Sequence, residues 1–84
     1  MIDKVKINKL LEERFDTAKA IDDVERTIKT YREVIEEKLR TKRRGYSSGV
    51  KHLRWSIKSY KDDIRRLKEN LKSIDREIAE EKRK

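Results

Sequence analysis

The sequence contains no cysteine and no proline, and its only two glycines, Gly45 and Gly49, lie close together near the middle. Without cysteine there is neither a disulfide framework nor a thiolate metal site, a usage that fits an intracellular, cytoplasmic protein. Without proline, nothing in the chain forces a helix to break. Glutamine is absent and asparagine occurs only at Asn8 and Asn70, a bias against amides shared with hyperthermophile proteins. His52 is the single histidine, with no second histidine to join it on a metal. No Gly-rich segment has the spacing of a phosphate cradle, since Gly45 and Gly49 suit turn geometry better. These gaps argue against an enzyme, a cofactor or a metal centre. No apolar run approaches the ~18 residues needed to span a bilayer. Met1 to Leu11 mixes apolar and charged residues, unlike a secretory leader. No membrane partner is expected.

Apolar residues are also scarce: 33% of the 84 residues are hydrophobic, against 50% charged. A single-core globular fold needs more, so the few apolar residues must be used economically. Ala, Glu, Lys, Leu and Arg make up 44 residues, the composition of long helices and coiled coils.

The second half shows how they are used. Val50, Leu53, Ile57, Tyr60, Ile64, Leu67, Leu71, Ile74 and Ile78 alternate at spacings of 3 and 4, an unbroken a/d heptad pattern. The stripe is as narrow as a two-stranded seam requires. In the first half, Ile21, Val24, Ile28, Tyr31 and Ile35 keep the heptad, and Leu39 continues it with a small slip. Upstream, Ile7, Leu11, Phe15 and Ala18 carry the stripe on at spacings of 4, 4 and 3, implying a local change in winding or in which residue faces the partner.

The expected fold is therefore all-α: one two-helix antiparallel coiled-coil hairpin over 1–84, dimerising into a four-helix assembly if its open end self-associates. Helix 1 is expected at about 3–43, the turn at about 44–48 and helix 2 at about 49–82. Gly45 suits a left-handed helix end, and Ser47 or Ser48 can cap the next helix. In such a hairpin facing residue numbers have a nearly constant sum. Ile35 with Leu53, Tyr31 with Ile57, Ile28 with Tyr60 and Val24 with Ile64 add to 88; Phe15 with Ile74 and Leu11 with Ile78 add to 89. One register thus sets apolar against apolar along both helices. Tyr31 and Tyr60 are expected to pack their rings in the seam. Asp22–Arg26, Glu25–Lys29, Glu36–Arg40 and Asp62–Arg66 are spaced for ion pairs along one helix, each contributing ~0.2–0.5 kcal/mol.

Charge is unevenly distributed within the net +8. Residues 38–61 hold nine Lys/Arg and no acid, whereas the flanking segments are close to neutral. The cations are Lys38, Arg40, Lys42, Arg43, Arg44, Lys51, Arg54, Lys58 and Lys61. Such a cluster costs self-repulsion that helix formation does not require, so it marks a polyanionic partner. Trp55 falls at the outward f position, with Lys51, His52 and Lys58 one turn away and Tyr46 nearby in the turn. Cations around exposed rings suit nucleic acid, DNA or RNA, where phosphates meet the cations and rings stack on bases. The alternative is an adaptor or inhibitor, as in viruses and mobile elements, docking Trp55 and the same cations on an acidic protein surface. A third reading is a structural spacer. In shape alone, a long two-helix arm with a basic tip resembles the tRNA-binding arm of seryl-tRNA synthetases, and no residue of that family carries over. Ile2, Val5 and Leu10 lie off the main seam and are the expected self-association patch of a homodimer.

Overall fold

The computed structural model describes residues 2–84. It contains two α-helices, α1 (Lys4–Thr41) and α2 (Tyr46–Arg83), which pack against each other as a hairpin. The molecule is a rod of 65 × 14 × 12 Å. Its radius of gyration is 18.9 Å, against about 12 Å for a compact fold of this length. Each helix has 38 residues, or ~57 Å at the standard rise.

α1 starts at Asp3, whose carboxylate accepts a 3.1 Å hydrogen bond from the Lys6 N–H and so satisfies one of the free donors of the first turn. At its other end Lys42, with φ 47°, takes the left-handed conformation, and its N–H donates to the Lys38 carbonyl at 2.9 Å. Gly45, with φ 81°, precedes α2. The connection is therefore Lys42 to Gly45. It lies earlier than the turn expected from the Gly-Ser chemistry, and neither Ser47 nor Ser48 caps a helix. The reason is the register: facing residues that add to 88 require a turn centred near residue 44, whereas a turn over 44–48 is centred near 46. Seam packing along the whole rod outweighs one cap, which contributes only ~1 kcal/mol.

The core is the seam. Ile28, Ile35, Val50 and Ile57 form a buried cluster, flanked by Val24, Tyr31, Leu53, Tyr60 and Ile64. The Tyr31 and Tyr60 rings meet edge to face, with centroids 5.6 Å apart at 74°. The adjacent Tyr31 hydroxyl is the main cause holding the Tyr60 phenol above its ordinary pKa, with smaller contributions from burial and Asp63. All nine seam positions read from the second half of the sequence are buried or half-buried.

The first half of the seam differs from expectation. Leu10 is buried at 6% exposure against Ile74 and Ile78, whereas Leu11 is 46% exposed and Phe15 69%. Ala18 is exposed and Thr17 half-buried. α1 does not change its winding. It keeps one heptad phase through Ile7, Leu10, Arg14, Thr17, Ile21 and Val24, and two of those positions are polar. The unbroken stripe of α2 is the cause, because a coiled-coil partner must stay in phase with it. Arg14 meets the need of its position by reaching across to Asp75, Nε to Oδ1 at 2.7 Å. The gap between the two apolar clusters falls at these polar positions. Lys38 likewise occupies the heptad position expected for Leu39, which is 39% exposed.

Beyond Ile78 the next seam position is Glu81, buried at 5%. Its Oε2 lies 3.3 Å from Lys6 Nζ and 3.4 Å from Lys84 Nζ, so the buried carboxylate is paired. Of the expected ion pairs along a single helix, Asp22–Arg26 forms at 2.7 Å. Arg40 pairs with Glu37 instead of Glu36, and Asp62 meets Arg65 at 3.8 Å instead of Arg66. Among the described residues, no helix is long and apolar enough to cross a membrane.

Candidate nucleic-acid interface

The turn end assembles from the last turns of α1, the Lys42–Gly45 connection and the first turns of α2. Arg43 and Arg44 lie in the connection and are exposed. With Lys38, Tyr46 and Gly45 they border a shallow cavity of about 290 Å³, which Val34, Glu37 and Thr41 also line. Lys51 and Arg54 border a second, of about 270 Å³, between Leu39, Tyr46 and Val50. Arg54, Lys58 and Lys61 then share an open groove of about 460 Å³ with Arg32 and Glu36 of α1, with Ile35 and Ile57 lining it.

Two residues are less available than expected. Tyr46 is not in the turn: it is the first residue of α2 and half-buried. Lys38 is half-buried, and its Cε and Nζ lie 3.3 Å from the point where a Cβ on Gly49 would stand. The missing side chain at Gly49 therefore makes room for the Lys38 stem. Arg40 is exposed but bonded to Glu37. The other cations of the tip, Lys42, Arg43, Arg44, Lys51, Arg54, Lys58 and Lys61, are exposed, and no carboxylate within the described residues lies at ion-pair distance from them.

Trp55 is 69% exposed, on the face of α2 turned away from α1. Helical geometry sets Lys51 and Lys58 beside it on one edge and His52 on the other. An indole so placed adds nothing to the seam and is open to solvent over most of its surface. Cations around an exposed ring are what a surface needs to hold a polyanion and stack a base.

At the open end the self-association patch needs revision. Leu10 belongs to the seam and is not on the outer surface. Ile2 and Val5 are 48% and 68% exposed, and the further exposed apolar residues there are Leu11 and Phe15, which sequence reading assigned to the core. No group of His, Asp or Glu within the described residues is arranged to hold a metal ion.

No protein-family model, curated protein or solved structure matches this chain, so the reading of the site rests on its own residues.

Proposed function

We propose that this hairpin is a small non-enzymatic binding module that engages nucleic acid through its basic turn end, mainly through phosphates. The observation that carries this reading is the run of nine cations without an acid over residues 38–61, with an indole 69% exposed among them. Lys42, Arg43, Arg44, Lys51, Arg54 and Lys58 contact phosphates, and Trp55 stacks on an unpaired base. Contacts of this kind position a strand without reading its sequence, so binding is weakly sequence-specific.

The test is fluorescence anisotropy of labelled single-stranded and double-stranded oligonucleotides with the wild-type chain, Trp55→Ala and Arg43→Glu/Arg44→Glu. The reading expects sub-micromolar binding at low salt, weakened about tenfold by Trp55→Ala, in line with ~1–3 kcal/mol per stacked base. The double charge reversal is expected to abolish it. Absence of binding by the wild-type chain at low salt removes nucleic acid from the account. The same surface would then be tested against acidic proteins, with Trp55 as the buried anchor.

A further inference from the structure

The tip cations do not stop at the tip. Lys51, Arg54 and Lys58 are spaced 3 and 4 apart along α2, and the same alternation continues through Lys61, Arg65, Lys68 and Lys72. Every position of that progression from 51 to 72 is Lys or Arg, and every one is exposed. With the seam at a and d, these are successive b and e positions, so the cations form one stripe down a single flank of the rod. Among the described residues, only Arg65 of the stripe has a carboxylate in reach, Asp62 at 3.8 Å. On α1, Lys29 and Arg32 border the grooves on this flank, with Glu25 one turn before them and Glu36 one turn after.

The opposite flank of α2 supplies an internal control. Its c and g positions over the same stretch hold His52, Ser56, Ser59, Asp63, Asn70 and Ser73, with Arg66 as the one Lys or Arg. In a coiled coil, e and g positions cover the seam equally well. Stability therefore gives no reason for the two flanks to differ so completely. Lys and Arg stems do cover apolar surface, but that need exists on both sides. Mixed charge would serve it without the mutual repulsion of seven cations.

We infer that a single strand of nucleic acid lies lengthwise along this flank, its phosphates following the stripe from Lys51 to Lys72, with Trp55 at the edge near the tip. This rests on the nucleic-acid reading above and extends its geometry: from the basic tip the interface runs on as a line ~32 Å long, instead of stopping at the end of the rod. The stripe is straight, as a flexible strand can follow, and the exposed ring beside it offers the stacking that single strands provide and duplexes do not.

The test compares two charge-matched variants of the full chain, each checked for unchanged helix content by circular dichroism. One neutralises the distal stripe, Lys61→Gln/Arg65→Gln/Lys68→Gln/Lys72→Gln. The other removes four exposed cations from the other faces, Lys9→Gln/Lys19→Gln/Arg66→Gln/Arg76→Gln. Both are titrated against a labelled oligothymidylate at several salt concentrations. Each phosphate contact on a single strand contributes about 0.7 to the salt slope, so losing four should flatten it by about 3 and weaken binding at least ~30-fold. The off-stripe variant should lose far less. If both variants weaken alike, net charge alone matters and the stripe is refuted. If the distal variant binds within about threefold of wild type with an unchanged slope, the tip acts alone. The stripe is then refuted while the nucleic-acid reading survives. If the wild-type chain itself does not bind, both fall. Should the fourfold distal variant lose helix content, Lys68→Gln/Lys72→Gln replaces it, with a slope expected to flatten by about 1.4.

Discussion

Replacing Leu10 and Phe15 in turn by alanine separates two arrangements of the seam. Leu10 is 6% exposed against Ile74 and Ile78, whereas Phe15 is 69% exposed. Truncating a buried leucine costs about 2–5 kcal/mol, depending on how far the site can collapse. The lower end applies here, since no large side chain in the described residues is below 2% exposure and solvent lines both sides of the seam. Leu10→Ala should therefore cost about 2 kcal/mol, a change of roughly 30-fold in the unfolding equilibrium. For a domain of this size that lowers Tm by about 8–16 °C. A buried phenylalanine would cost about 3–5 kcal/mol on truncation, but an exposed one should stay within about 0.5 kcal/mol. The assay is thermal and urea unfolding followed by far-UV circular dichroism at several protein concentrations. The reasoning is refuted if Phe15→Ala destabilises more than Leu10→Ala. A loss at Phe15 that grows with protein concentration would show instead that a second chain covers it.

The glycines and tyrosines give further expectations. Gly49→Ala should stabilise by somewhat under about 1 kcal/mol, because alanine favours helix and the atoms in its way are the flexible end of Lys38. Gly45→Ala should instead destabilise by about 1 kcal/mol, since φ is +81° there; equal Tm values for the two variants would contradict the turn geometry. The Tyr60 phenol is held above its ordinary pKa, chiefly by the Tyr31 hydroxyl. Its contribution to stability is therefore complete below the unfolded value near 10 and is lost as pH rises through the higher folded value. A spectrophotometric alkaline titration should show a late phenolate phase that is absent in Tyr60→Phe, and three coincident tyrosine titrations would refute it. Trp55, the only tryptophan, should show quenched fluorescence when oligothymidylate binds, and an unchanged emission at saturation would place the strand away from it.

The fold was largely legible in the sequence because α2 wears its heptad openly, with an aliphatic or aromatic side chain at each of nine seam positions. α1 was harder. Leu11, Phe15 and Ala18 are the apolar residues nearest the stripe, yet they sit one step out of phase with Leu10, Arg14 and Thr17. Hydrophobicity pointed to one set and continuity of the coiled coil to the other. The signal that distinguishes them was present: residues facing each other around the middle of the rod add to 88, and Leu10 with Ile78 keeps that sum while Leu11 with Ile78 does not. The same sum locates the turn near residue 44, against the pull of Gly-Ser chemistry. The charge cluster was visible from counting alone. The stripe was not, because it appears only when α2 is divided by heptad position, and its distal cations are diluted in linear sequence by Asp62, Asp63 and Glu69.

The central claim is that phosphates are held by a line of cations, and the salt dependence of binding tests it most directly. The measurement is the affinity of the wild-type chain for a labelled single strand of about 20 nucleotides, long enough to cover the stripe, taken from about 50 to 200 mM salt. Six phosphate contacts at the tip alone predict a fall of about 300-fold over that range, and a strand lying along the whole stripe predicts a steeper one. No measurable binding at 50 mM, or a fall of less than about threefold, would contradict the account.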